Sequence, residues 1–172
     1  MDDRVAIEQV LSGDNEAFRF LVERYQKQAL GHAAAIVGSR SEAQDAAQEA
    51  FIDAYNALNR FDRTRRFYPW FYVLLRNRCF KMLAARRPAE NIDNIDILAE
   101  RPGVAPEERI ALERALRNMK TDEREIVTLK YLDGLSYKEI GEYLEIPVGT
   151  VMSRLFNARR SLKEAMAGMA RR

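Results

Sequence analysis

Ser153, Phe156, Asn157 and Arg160 fall on one side of a helix drawn through "TVMSRLFNARRSL" at about 100° per residue. Met152, Arg154 and Arg159 flank them, and Thr150 opens the stretch. Their chemistry is recognition, not bond-making. Asn157 can pair with a base edge, and Ser153 can reach a base or a phosphate. The arginines can grip phosphates or a guanine, and a ring such as Phe156 can lie on a thymine methyl. The opposite side carries Val151, Leu155, Ala158 and Leu162, which predicts a buried seam. The competing reading is an amphipathic helix whose charged face is only solvated.

A second set of side chains lies in "RFDRTRRFYPWFYVLLRNRCFKMLAARR". Cations interleaved with rings suit single-stranded nucleic acid, because bases stack on rings while arginines hold the backbone. However, Phe67, Trp70, Phe71, Leu74 and Leu75 recur at helical spacing, which predicts that most of these rings are core. The arginines and Lys81 do not sort onto one face.

A third set is acidic. Glu42, Asp45, Glu49 and Asp53 line one side of a helix, with Gln48 and Ile52 at its edge. Ala47, Phe51, Tyr55 and Leu58 take the other side, the expected core side. The stripe has no Lys or Arg within its own helix. It reads either as a solvated face or as a docking surface for a basic partner. Catalysis is not expected: no histidine, metal-ligand set or glycine loop accompanies the carboxylates. One cysteine, Cys79, and one histidine, His32, leave no internal disulfide and argue against a Cys/His zinc site. Cys79 reads as a buried small residue. No cofactor, metal or small-molecule substrate is expected.

The elements that must position these sets are helical. The spacing predicts a helix over about Arg4–Leu11 and a long one capped by Asp14 that stops at Gly38. "SEAQ", Ser41 to Gln44, reads as a capping box for the acidic helix, which runs to about Asn59. Pro69 suits the first turn of a helix from Trp70 to about Arg87. Residues 88–106 hold three prolines and an acidic excess, so they read as a flexible linker. Beyond it come a helix over Glu107–Met119 and another capped by Thr121. "SYKE", Ser136 to Glu139, caps a short helix to about Leu144, and the last helix begins near Gly149. In this helix-turn-helix, Ile140 and Leu144 face inward and Gly141 lets the helices approach. Ile146 or Val148 plugs the angle. The expected fold is all-α: two small helical domains, 1–87 and 107–172, joined by the linker 88–106.

The charge is segregated. A net +2 conceals +8 over residues 60–87 and +5 over 148–172, against −5 over 1–59. Two basic blocks predict two polyanion sites. No apolar run approaches a membrane span, and "MDDRVAIEQV" lacks a signal-peptide core, so direct membrane insertion is not expected and a cytoplasmic location is.

Three pieces stand in order: "DAAQEAF", "FYPWFYVLLRNRCFKMLAARR" and "LSYKEIGEYLEIPVGTVMSRLFNARRSL". Together they resemble the extracytoplasmic-function group of bacterial sigma factors, the minimal two-domain members of the sigma-70 family. The resemblance implies that Asp45, Gln48, Glu49, Ile52 and Asp53 dock on core RNA polymerase. It implies that the loop with Arg60, Arg63, Arg65 and Arg66, and the helix with Trp70, Arg76, Asn77, Arg78 and Lys81, melt and read a −10 promoter element and capture a flipped base. Thr150, Met152, Ser153, Arg154, Phe156, Asn157, Arg159 and Arg160 would read the −35 element. The linker would thread the RNA-exit path, and an anti-sigma factor would hold the protein inactive. The family often has a basic residue where Met152 stands and a basic or histidine residue in the Phe156–Asn157 pair. It often has an acidic residue where Lys81 stands. The alternatives are a dimeric helix-turn-helix regulator acting on an operator and a purely protein-binding helical adaptor.

Overall fold

The computed structural model describes residues 1–85 and 106–170. Among them there are helices and no strands. The first half holds α1 (Asp3–Leu11), α2 (Phe18–Val37), α3 (Arg40–Ala57) and α4 (Phe67–Ala85). The second holds α5 (Pro106–Arg117), α6 (Thr121–Val127), α7 (Tyr137–Leu144) and α8 (Val148–Ala170). The expected linker 88–106 lies outside the described residues except for Pro106, which opens α5.

Local signals explain the ends. The Asp2 side chain accepts from the Val5 amide at 3.0 Å and starts α1. Gly38, at φ 76°, ends α2 in the left-handed region that glycine enters without a Cβ penalty. The chain then turns extended at once, so Ser39, not Ser41, caps α3, its hydroxyl accepting from the Glu42 amide at 3.5 Å. Ser41 lies inside the helix. Similarly Lys120, not Thr121, is the cap residue of α6 and makes no side-chain cap bond. Asp14 precedes a single 3-10 turn, Asn15–Ala17, before α2, also without a side-chain bond. At α7 the expected box is complete: the Glu139 amide donates to Ser136 Oγ at 3.2 Å and the Ser136 amide to Glu139 Oε2 at 2.9 Å. α4 begins at Phe67, so Pro69 falls in its first turn, where an intrahelical donor is not required.

The helix-turn-helix packs as its periodicity requires. Val151, Leu155 and Ala158 are buried beneath α8, and Ile140 and Leu144 beneath α7. Ile146 is the plug, since it packs partly buried on the core while Val148 is exposed. Gly141 is needed at its position: a Cβ there would lie 2.9 Å from the Ile146 carbonyl oxygen.

The two small helical domains pack against each other. Their buried side chains form one continuous cluster, with α6 against α2 and α7 against α4. Tyr143 of α7 meets Tyr68 and Tyr72 of α4 at ring separations of 5.9 and 5.1 Å.

Leu155→Ala is expected to lower stability by about 2–5 kcal/mol. Phe156→Ala, one residue on and exposed, is expected to stay within about 0.5 kcal/mol of the parent. Thermal melts followed by circular dichroism check the pair, and equal losses would refute the assigned faces.

Candidate nucleic-acid interface

The outward face of α8 is open. Met152 is 53% and Phe156 64% exposed, and Ser153, Arg154, Asn157, Arg159 and Arg160 are exposed with them. Thr150 is half-buried at the helix start, and the Ser153 hydroxyl donates back to the Thr150 carbonyl at 3.1 Å. The face thus presents cations, an amide and two apolar side chains that no helix among the described residues covers. That combination can enter a major groove, hold phosphates and touch base edges.

The arginine–aromatic block divides. Phe67, Phe71 and Leu75 are core, as the spacing predicts, while Trp70 is half-buried against Phe61 and Phe67 at 4.9 and 5.8 Å between ring centres. Arg60, Arg63, Arg65, Asn77 and Lys81 are exposed. The Asp62 carboxylate accepts from the Thr64 amide at 2.9 Å and hydroxyl at 2.8 Å, which fixes the loop that carries Arg63, Arg65 and Arg66. Those bonds hold its carboxyl below the usual carboxylate range. Beside the loop lies a cavity of about 500 Å³ lined by Arg24, Tyr25, Arg63, Arg66, Phe67 and Tyr68 among others. Rings and guanidinium groups around a space of that size suit an unstacked base.

Three other cations of this block are already engaged. Arg78 forks onto both carboxylate oxygens of Asp53 through two nitrogens, with Glu49 at 3.5 Å from the third. The acidic stripe of α3 therefore receives a cation from α4. The Arg78 hydrogen bond, with its charge, holds the Asp53 carboxyl below its ordinary value. Arg76 Nε donates to Glu125 of α6 at 2.7 Å, and its guanidinium lies 4.5 Å from the Phe80 ring centre. Arg66 reaches Glu139 and Glu142 of α7 at 3.4 and 3.3 Å.

On α3 the polymerase candidates Asp45, Gln48, Glu49 and Ile52 are exposed and Asp53 is half-buried. Tyr55, expected on the core side, is instead partly exposed, with its ring edge-on to Phe18 at 5.2 Å. It lines an apolar groove of about 720 Å³ between α2 and α3, with Val22, Leu30, Phe51 and Ile52, and Lys27 and Gln48 also on its wall. Periodicity within one helix does not reveal this groove, because two helices make it. The exposed Ile52 beside the acidic stripe is the sequence signal that pointed there. Cys79 is buried, and burial pushes its thiol up to about 12, so it is inert.

Comparison with known proteins follows the same division. The family model described as Sigma-70 region 2 matches residues 21–88, and that described as Sigma-70, region 4 matches residues 109–162. The chain is 36% identical to the ECF RNA polymerase sigma-E factor of Escherichia coli, covering 100% of this chain and 98% of the relative. The solved structure of CnrH in complex with the cytosolic domain of CnrY matches with a TM-score of 0.72 at 28% identity, covering 96% and 97% of the two chains. The fold also matches the sigma factor RpoE of Bartonella quintana, solved with the anti-sigma factor NepR, with a TM-score of 0.73 at 20% identity over 87% and 96% of the chains.

The Asp53–Arg78 fork predicts a pH dependence. A carboxyl depressed in the folded state contributes stability at neutral pH that is lost as pH falls through its depressed value. Arg78→Ala should return the Asp53 titration, read by NMR, toward the ordinary carboxylate range. It should also lower neutral-pH stability only slightly, since water screens a pair that is about a third exposed. An unmoved Asp53 titration would refute the coupling.

Proposed function

This chain belongs to the extracytoplasmic-function sigma factors of the sigma-70 family, and from that membership we propose that it binds core RNA polymerase and directs it to promoters through −10 and −35 elements. The single observation that supports the residue-level reading is the exposed outer face of α8, which no helix among the described residues covers. A factor of this kind makes no bonds itself. It lends base contacts and strand capture to an enzyme that does the chemistry.

The proposed division of labour follows the surfaces. Residues 1–87 form the polymerase-docking and −10 domain, 88–106 the linker, and 107–172 the −35 domain. Asp45, Gln48, Glu49, Ile52 and Asp53 offer polymerase an acidic ridge beside an apolar groove, so the partner surface is basic and carries apolar anchors. Arg60, Arg63, Arg65 and Arg66 hold the displaced strand. Trp70, Arg76, Asn77, Arg78 and Lys81 complete the −10 surface. Thr150, Met152, Ser153, Arg154, Phe156, Asn157, Arg159 and Arg160 read the −35 duplex. With Met152 and Phe156 in place of charged side chains, part of that reading is apolar. An anti-sigma factor is the expected regulator, in line with the neighbour solved with one. A dimeric operator-binding regulator is not favoured, because the similarity spans both halves of the chain.

Core polymerase plus this protein should initiate at defined start sites on a genomic promoter library. Failure on every template, with a control sigma factor active, would overturn the reading. Asn157→Ala and Arg160→Ala should impair −35-dependent initiation while circular dichroism stays unchanged. On the recovered promoter, replacing a −35 thymine by deoxyuridine removes one methyl, worth roughly fourfold in affinity. That loss should vanish in Phe156→Ala, and a loss unchanged in the variant would remove the methyl contact. Glu49→Arg should weaken binding to core polymerase in a pull-down while −35 DNA binding persists, and normal polymerase affinity would refute the docking surface.

A further inference from the structure

Val148, Met152 and Phe156 stand four residues apart along α8 and are 44%, 53% and 64% exposed. Side chains at that spacing lie one above another on a helix. They form an apolar stripe that climbs from the turn onto the outward face. Cations border it, with Arg154, Arg159 and Arg160 all exposed. No acidic side chain stands between Val148 and Lys163. Three large apolar side chains left in water within a wholly cationic field fit a partner that is anionic at its edges and apolar at spots inside them.

The major groove of DNA answers both demands. It is about 12 Å wide between phosphate walls, which admits a helix of about 10–12 Å diameter. The apolar group on its floor is the C5 methyl of a pyrimidine. Thymine sets that methyl beside an O4 acceptor, whereas cytosine shows an N4 amino donor and no methyl. The valine and phenylalanine side chains have no donor or acceptor, and a methionine thioether accepts only weakly. The stripe is therefore blind to the difference between O4 and N4 and senses the methyl alone. A cytosine methylated at C5 offers it the same surface as thymine. Met152 and Phe156 are about 6 Å apart along the helix axis, close to two base-pair steps of about 3.4 Å. Their contacts fall on pyrimidines about two pairs apart.

We propose that Val148, Met152 and Phe156 read pyrimidine C5 methyls, so that the −35 duplex is bound alike with thymine or 5-methylcytosine beneath the stripe and more weakly with unmethylated cytosine. This rests on the −35 assignment of α8 above and names the chemistry that the assignment leaves open. It makes cytosine methylation an input to promoter choice, because the modification adds an apolar contact without altering base pairing.

The test uses the full chain and duplex DNA at low salt, where phosphate contacts hold the complex together. Selection from a random-sequence duplex pool recovers the bound site. Each pyrimidine of that site is then exchanged in turn, and affinities are read by anisotropy. At one or two positions, replacing thymine by deoxyuridine should weaken binding about fourfold, the worth of one buried methyl. At the same positions, a 5-methylcytosine–guanine pair should bind about fourfold more tightly than a cytosine–guanine pair. In Met152→Gln/Phe156→Gln both methyl increments should fall to nearly one, with circular dichroism unchanged because both positions are exposed. Increments that survive in the double variant overturn the proposal, since the methyl would then act through the shape of the DNA. So does a gain from the thymine methyl with none from that of 5-methylcytosine, which would mean that O4 is read. A recovered site with no methyl dependence at any position sinks the proposal alone and leaves the −35 reading standing. Recovery of no duplex at all removes the −35 assignment and the proposal with it. If the double variant instead loses affinity for core polymerase while its methyl increments persist, the stripe is a protein-docking face and the proposal fails.

Discussion

The Arg124 guanidinium is the tie on which the arrangement of the two halves depends. It is 3% exposed and donates to the carbonyls of Ala35 and Ile36 at the end of α2, and to that of Leu116 at the end of α5. A helix C-terminus leaves its last carbonyls without intrahelical partners and carries partial negative charge. Gly38 satisfies Ala34, and Arg124 serves the next two, so the second half of the chain completes a helix of the first. Around this tie the seam repeats the theme. His32 Nε2 meets Asp133 at 2.5 Å and Nδ1 meets the Tyr68 hydroxyl at 2.9 Å. The Tyr72 hydroxyl donates to Glu125 at 2.7 Å. Burial pushes the Tyr68 and Tyr72 phenols well above their ordinary value, which keeps both as donors.

A seam built this way has a particular energetic character. Buried ion pairs give little net stability, because desolvation offsets much of their attraction, but breaking one partner away inside a dry site is costly. Parting the halves as whole units avoids that cost, since every group meets water together. The polar ties fix the register of the seam, while the continuous apolar cluster and the Tyr68, Tyr72 and Tyr143 rings supply its packing.

Each half was legible to the extent that its signals are local. The exposed face of α8 follows from periodicity, because Val151, Leu155 and Ala158 must share one side of a single helix. The box at Ser136 is legible because both its partners are three residues apart. The cap of α3 was displaced by two residues because Gly38 turns the chain extended at Ser39, a backbone event that the pattern around Ser41 does not encode. Tyr55 was assigned to the core because one helix was considered, whereas α2 leaves its ring half in a groove. The seam was not legible at all. Its pairs join positions about 50 to 100 residues apart, such as Arg76 with Glu125 and His32 with Asp133, and no periodicity links them. The arginines that failed to sort onto one face of α4 did so for this reason: Arg76 answers α6, Arg78 answers α3, and Lys81 stays in solvent.

The chain is a promoter-directing sigma factor, and strand capture by its arginine–aromatic block is the central claim proposed for it. The most direct measurement is the fluorescence of 2-aminopurine placed in turn at each −10 position of a mapped promoter, which rises when a base leaves the stack. The account predicts a rise when core polymerase and this protein are present together, and none with either alone. A rise with the protein alone, or no rise with both, would contradict it.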